Sequence, residues 1–421
     1  MNKLPTANCQ LSTELRRKPE LLAPAGDWEG LASALAGGCD SVYFGVKGIT
    51  MRAAAGNFDL LELPKLMDKL HSSGIKGYLA LNVIVYDSEL DKIDKILSAA
   101  KNAGVDGVIA WDQAVLSSAK KHNIDLHLST QASVSNFEAF KFYACQGIKR
   151  IVLARECSLE DIARIKSKAV EEDIDSRIEV FIHGAMCVSV SGRCFLSEYT
   201  FDKSANRGEC VQPCRREYKI MDVDDEAEYV LANDHVLSPK DLCTIDFIDQ
   251  IIETGADVFK IEGRMRSSEY VRVAVECYRK AIDAYFDGAL DENLKKELKS
   301  ELEKVYNRGF SDGFYTGHQQ DWRTRKLEHT YDKLMIGRVT RYFDKIGVAE
   351  IKVVSWGIQP EDKLLFMGKK TPAEWVDDYQ MQIEGQDVTS VEKGTSVGIK
   401  LPFAVRPRDK VFIWRNKCLN K

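Results

Sequence analysis

From Pro19 to about Asp287 the sequence repeats one unit, a short run rich in β-branched residues followed by an amphipathic stretch with apolar residues three and four apart. That alternation restricts the fold to parallel strands joined by crossover helices. Strands are predicted at Glu20–Ala23, Ser41–Val46, Gly77–Val83, Gly107–Trp111, Asp125–Ser129, Arg150–Leu153, Arg177–Ile182 and Val258–Ile261, with helices such as Leu90–Ala103 and Leu159–Glu171 between them. Gly38-Cys39-Asp40, Gly104-Val105-Asp106 and Gly255-Ala256-Asp257 echo one another, each ending a helix at glycine and entering a strand. Eight units, with no Gly-x-Gly-x-x-Gly loop after the first strand, favour an α/β TIM-like (β/α)8 barrel over an open doubly wound sheet. Active sites on a barrel gather at the carboxyl ends of its strands. Those ends present Asn82, Asp112, Gln131, Arg155, His183 and Glu262.

Directly after the seventh strand comes an unusual run of thiols. Cys187, Cys194, Cys210 and Cys214 fall within 28 residues, whereas the other seven of the eleven cysteines are spread over 393. A disulfide framework suits small secreted chains, and the polar stretch Met1 to Glu20 lacks the apolar core of a signal peptide. Structural zinc usually takes two close cysteine pairs; Cys210-x3-Cys214 is close but Cys187-x6-Cys194 is wide, which leaves zinc open. A CxxxCxxC radical motif would need a cysteine just past Cys214, where Arg215, Arg216 and Glu217 stand. Four soft thiolates on a looping segment also suit a 4Fe-4S cluster, with Cys243 as a spare ligand.

The same residues carry a resemblance. Glu179, His183-Gly184-Ala185-Met186-Cys187, Ser191-Gly192-Arg193-Cys194 and Ser197, with the spacing Cys-x6-Cys-x15-Cys-x3-Cys, resemble the signature of the collagenase-like peptidase family U32. Pro19 to Gly26, Ser129-Thr130-Gln131, Ser238 to Asp241, Lys260 to Arg264 and Asn307 to Gly317 extend the likeness over nearly the whole chain. Within the family the resemblance points to oxygen-independent RNA hydroxylases. It implies an iron-sulfur enzyme that converts the wobble uridine of tRNA to 5-hydroxyuridine with prephenate as oxygen donor. Other members are implied to act on ribosomal RNA or in quinone synthesis. The family label keeps a peptidase as the second reading, and a metal-cluster scaffold is the third. Some relatives imply a homo-oligomer or a paired family member.

Among other site candidates, His183 has the near-neutral pKa of an acid-base catalyst, and a hydrogen-bonded structural histidine is the competing reading. Lys260, Glu262 and Arg264 alternate, so they share one face of the last strand. They form either an ion-pair network or a site for a dicarboxylate such as prephenate, with Arg155 as a further carboxylate partner. Asn82 and Gln131 are suited to orienting a polar substrate. Arg207, Arg215, Arg216 and Lys219 surround the last two cysteines, either as a solvated loop or to meet phosphates. Phe310, Phe314, Tyr315 and Trp322 interleave with Arg308, Arg323, Arg325 and Lys326, a pattern of base stacking or of interdomain packing.

No His-Glu-x-x-His zinc motif occurs, and the Gly-x-Ser-x-Gly match at Gly394 to Gly398 lies in alternating sequence with no strand-to-helix elbow. Peptidase chemistry therefore rests on the family label. The barrel is expected over 16–290, with its cysteine-rich segment at 183–215, and a helical connector over 291–330. After residue 331 the pattern changes to strict alternation, predicting a small all-β barrel domain that ends at 421. Pro360-Glu361-Asp362-Lys363, Pro407-Arg408-Asp409-Lys410 and Gly337-Arg338-Val339 are similar to the β-barrel domain of translation elongation factors. A net charge of −5 excludes a strongly basic nucleic-acid binder while permitting local basic patches. No run of eighteen apolar residues occurs, so a cytoplasmic protein with no membrane span is expected.

Overall fold

The computed structural model describes residues 17–218, 237–317 and 328–417, together with the backbone at 220–221 and 228–229. Lys219, Trp322, Arg323, Arg325 and Lys326, singled out above, lie outside the described residues, as does the Met1-led segment up to residue 16.

Eight parallel strands form the larger unit. They are β1 (Glu20–Ala25), β2 (Ser41–Phe44), β3 (Lys76–Ala80), β4 (Gly107–Ala110), β5 (Leu126–Leu128), β6 (Arg150–Val152), β7 (Arg177–Ala185) and, after two short strands β8 (Ile220–Met221) and β9 (Glu228–Tyr229) and the strand β10 (Asp241–Cys243), β11 (Val258–Ile261). Each barrel strand pairs with the next, and β11 pairs with both β7 and β1, which closes the barrel. Helices α1 (Trp28–Ala36), α2 (Leu63–His71), α3 (Leu90–Asn102), α4 (Gln113–Lys121), α5 (Phe137–Cys145) and α6 (Leu159–Glu171) follow the first six strands. Short α7 (Leu196–Phe201) lies in the cysteine segment, and α8 (Ile248–Glu253), α9 (Ser268–Phe286) and α10 (Glu292–Lys304) complete the set.

The helix starts follow from local chemistry. Asp27, Asp112, Asn136, Ser158 and Asp291 each accept a backbone N–H in the first turn of the helix they precede, supplying an acceptor that the first turn otherwise lacks. The apolar faces of these helices join the outward strand residues in one large core. Inside the barrel a small apolar layer of Leu22, Tyr43, Tyr78, Ile109 and Val258 is joined by charges rather than by more aliphatics. Glu20 binds Arg150 at 2.9 Å and Arg177 at 2.6 Å, Arg150 reaches Glu179 at 3.4 Å, and Glu179 accepts from Lys260 at 2.7 Å. Pairing along that ladder offsets the cost of placing charges in the lumen.

Two strands extend the barrel sheet beyond the eight that the pattern predicts. β10 runs antiparallel to the end of β7, and β12 (Phe310–Ser311) pairs with β10. Both are too short to show a period of two.

The C-terminal unit is an antiparallel sheet of β13 (Tyr331–Phe343), β14 (Val348–Val353), β15 (Lys363–Met367), β16 (Glu374–Val376), β17 (Met381–Ile383), β18 (Gln386–Val388), β19 (Ser396–Lys400) and β20 (Lys410–Asn416). Its order is β16, β15, β20, β13, β14, β19, β17, β18, wrapped around its own apolar core. The two Pro-x-Asp-Lys echoes are the same device twice. Asp362 accepts from the backbone N–H of Gln359 and Asp409 from that of Arg406, both at a residue three positions back, and a strand starts immediately after each. The unit packs on α1 and α9 through Leu365, Met367, Phe412 and Trp414, with Lys333–Glu269 and Lys410–Glu29 ion pairs at the margin.

Candidate active site

A cavity of about 410 Å³ opens at the carboxyl ends of the barrel strands, and Cys187, Cys194, Cys210 and Cys214 all line it. The segment that carries them is tied down at several points. Asn206 accepts from the Cys194 N–H, and Ser197 accepts from the Val211 N–H. Gly208, at φ 90°, passes so close to the backbone of Thr50 that a Cβ would sit 1.9 Å from its carbonyl oxygen. Only glycine fits that approach.

Polar groups already address the sulfurs. The Leu196 N–H points at Cys194 Sγ from 3.3 Å, and the Ser197 hydroxyl at Cys210 Sγ from 3.7 Å. Burial pushes the Cys214 thiol up to about 11; Arg215 opposes this, and Cys187, Cys210 and Cys194 are near enough to reinforce it. All four are free thiols. Among the described residues no three His, Cys, Asp or Glu side chains converge on a point where one metal ion could sit. Four thiols around one cavity are nonetheless the kind of donor set that an iron-sulfur group takes. Cys243 is not part of it: β10 buries that thiol beneath α9, where Tyr278 donates to its sulfur from 3.7 Å.

The opposite wall is cationic. Lys260 lies on β11, Glu262 and Arg264 lie just past its carboxyl end, and all three line the cavity. The Lys260 ammonium is held by Glu179 and lies 4.5 Å from the Tyr43 ring centre; burial lowers its pKa, against the pull of Glu179. Arg52 binds Glu262 at 3.2 Å. Burial raises the Glu262 pKa, but Arg52, Arg266 and Arg155 outweigh it and keep the carboxyl below its usual range.

Arg264 differs from these. It is 6% exposed, its guanidinium donates to Thr50 Oγ1 at 3.0 Å, and no carboxylate among the described residues pairs with it. Burial pulls its pKa down to about 10. Arg155 likewise donates to the Ala185 carbonyl at 2.6 Å and stacks 4.0 Å from the Phe181 ring centre, with no carboxylate partner among the described residues. Two guanidiniums near Glu262 but with no carboxylate at salt-bridge distance among the described residues could together receive an anion with more than one acidic oxygen.

Gln131 and Asn82 also line the cavity and meet each other, Asn82 Nδ2 donating to Gln131 Oε1 at 2.7 Å. Three expected site residues are placed differently. His183 lies outside the cavity, 1% exposed, between the rings of Tyr270, Tyr278 and Phe310. The cause is a register shift, in which Lys260 pairs with Phe181 but Ile261 with His183, so the strand skips a residue and turns the imidazole toward α9. Burial and Arg266 bring its pKa down to about 3, which leaves a neutral structural ring. Arg207 is a strut, gripping Glu89 at 2.7 and 2.5 Å and the Ile84 carbonyl. Arg215 reaches the cavity wall, yet its guanidinium is engaged by Ser238, the Pro239 carbonyl and the Met186 carbonyl.

Sequence reasoning missed Arg52, Thr50 and Tyr43. Arg52 and Tyr43 line the cavity, and Thr50 holds Arg264 beside it. Thr50 and Arg52 follow β2 at a strand's carboxyl end, the one signal that pointed to them, while Tyr43 lies inside a strand whose pattern marks no site residue.

Comparison with known proteins agrees with the motifs. Residues 26–325 match the model of peptidase family U32. A protein named collagenase from Porphyromonas gingivalis is 38% identical over 402 residues, 93% of this chain and 97% of that protein. A tRNA hydroxylation protein P1 of Bacillus subtilis is 39% identical over 277 residues, 64% of either chain. A 23S rRNA 5-hydroxycytidine synthase of Escherichia coli is 37% identical over 268 residues, 64% of this chain and 40% of that one. With the family model spanning most of the barrel and a relative aligned from end to end, the chain belongs to peptidase family U32.

Proposed function

We propose that this protein is an RNA-modifying enzyme that hydroxylates a pyrimidine, with the wobble uridine of tRNA as target and prephenate as oxygen donor. The observation that carries the reading is the meeting of four thiols with two guanidiniums, Arg155 and Arg264, that form no direct salt bridge among the described residues, around one cavity. Relatives whose names specify tRNA hydroxylation and rRNA 5-hydroxycytidine synthesis support the reaction class. Hydroxylation replaces a ring C–H by C–OH, a two-electron oxidation of the base; the donor gives up its hydroxyl oxygen, takes the two electrons and the displaced hydrogen, and leaves as the reduced C–H compound.

In this reading Cys187, Cys194, Cys210 and Cys214 hold a 4Fe-4S cluster, which when bound supplies one-electron redox capacity or Lewis acidity. Arg264 and Arg155 take the carboxylates of the donor, and a guanidinium fork fixes its orientation as well as its affinity. Lys260, held by Glu179 and cornered by Tyr43 and Phe181, contributes a positioned cation with a proton available to a developing alkoxide. The Arg52–Glu262 pair forms part of the wall and offsets some of the positive charge.

The collagenase name of a full-length relative supports hydrolysis as the second reading. The two residues that suited it stand apart from the cavity: His183 packs against α9, and Ser396 of the Gly-x-Ser-x-Gly match lies in β19 of the C-terminal sheet.

Nucleoside mass spectrometry of tRNA from a deletion strain tests the proposal. Disappearance of 5-hydroxyuridine derivatives, restored by the wild-type gene but not by Cys187→Ser, is the expected result. An unchanged nucleoside profile in both tRNA and rRNA contradicts it.

A further inference from the structure

The amide pair on the cavity floor is set in one sense. Gln131 is 3% exposed, and its Oε1 accepts twice, from Asn82 Nδ2 at 2.7 Å and from the Ser129 hydroxyl at 3.0 Å. Ser129 is committed as well, because its oxygen caps the turn by accepting the Gln131 backbone N–H, which leaves its hydrogen for Oε1. The reverse setting of both amides would bury the two Asn82 amide hydrogens without an acceptor. The present one leaves Asn82 Oδ1 and one Asn82 hydrogen bare, and a buried amide oxygen goes unpaired more readily than a second buried N–H. With Oε1 doubly engaged, the group that Gln131 has left for the cavity is its Nε2 donor.

We propose that Ser129 and Asn82 are positioning residues that lock the Gln131 amide with its donor toward the cavity, so that the site reads a carbonyl oxygen on a pyrimidine edge and selects uracil over cytosine. This rests on the RNA-modifying reading above and deepens it. Uracil offers an acceptor at O4, where cytosine carries an exocyclic amine. A donor facing that amine buries two donors against each other, and a site built for one polarity rejects the other strongly.

The lock can be inverted without changing shape. In the variant Asn82→Asp the introduced carboxylate cannot donate, so the Gln131 amide turns over to donate to it and presents Oε1 to the cavity. Gln131→Glu keeps both bonds to its first oxygen and presents a second oxygen instead. The test uses the holoenzyme and synthetic anticodon stem-loops carrying uridine or cytidine at the target position, with binding followed by fluorescence anisotropy. Wild type should favour uridine roughly 10-fold or more. Both variants should abolish or reverse that preference while holding the far-ultraviolet spectrum and thiol content of the wild type. A wild-type preference retained by both variants overturns the lock, as does equal wild-type binding of the two RNAs. Absence of binding to either RNA overturns the lock and the RNA reading together.

Discussion

Arg264 is the side chain on which the proposed anion site turns. Its neighbours explain why it stands where it does: Gly45 has no side chain, and a Cβ there would lie 2.7 Å from both Arg264 Nη1 and Thr50 Oγ1. Buried and without a carboxylate, the guanidinium gains most when a ligand supplies one. Arg264→Gln should therefore weaken binding of prephenate on the order of 100-fold, measured by titration calorimetry, while Arg207→Gln, at a strut away from the cavity, leaves that affinity near wild type. Equal losses in the two variants would show that the cavity does not bind the anion. Lys260, Glu262, Arg264, Arg155, Asn82 and Gln131 were all legible because strand alternation and strand ends are written in the sequence. His183 was not, since a one-residue register shift reverses the face of a side chain and leaves no mark in the pattern.

At the scale of single elements, β1 binds both ends of the barrel. Its first residue, Glu20, is one of the two acids of the lumen ladder, with Glu179. Burial raises its pKa, but Arg150, Ser41 and Arg177 outweigh burial and bring it to about 2 from 4.5. A depressed carboxyl stabilises the fold above its unfolded pKa, and the gain is lost as pH falls through the folded one. Urea midpoints should thus drop between pH 4.5 and 2 in wild type, and the drop should be shallower in Glu20→Gln; identical slopes would remove Glu20 from the account. Just past the other end, Gly26 meets the backbone of Arg264, where an added Cβ would lie 1.9 Å from the carbonyl oxygen. Gly26→Ala should cost about 3 kcal/mol in chemical denaturation and displace Arg264, lowering anion affinity as well. Seven of the eight barrel strands could be read from the sequence because each is followed by a helix with its own period, and β7, which leads into the cysteine segment instead, could be read from its own β-branched run. β10, β12, β16 and β18 could not, being two or three residues long and held by their partners rather than by their own pattern.

Across the whole molecule, the cysteine segment is a lid of irregular backbone fixed over a rigid barrel, and the C-terminal sheet braces the far side through α1 and α9. No helix among the described residues is long and apolar enough to cross a membrane. The brace buries Leu365, Met367, Phe412 and Trp414 against the barrel helices, so ending the chain before Tyr331 should expose a continuous apolar face and give a product that aggregates or unfolds at lower temperature in calorimetry. A truncated barrel with the wild-type transition would show that the two units are independent. In the proposed function the four thiols at the cavity grip iron. Iron and acid-labile sulfide, assayed per chain after anaerobic purification, test it most directly. The account predicts about four of each, lost on Cys187→Ser, Cys194→Ser, Cys210→Ser or Cys214→Ser and kept by Cys243→Ser. Stoichiometric zinc in place of iron, or iron that survives those four substitutions, would contradict it.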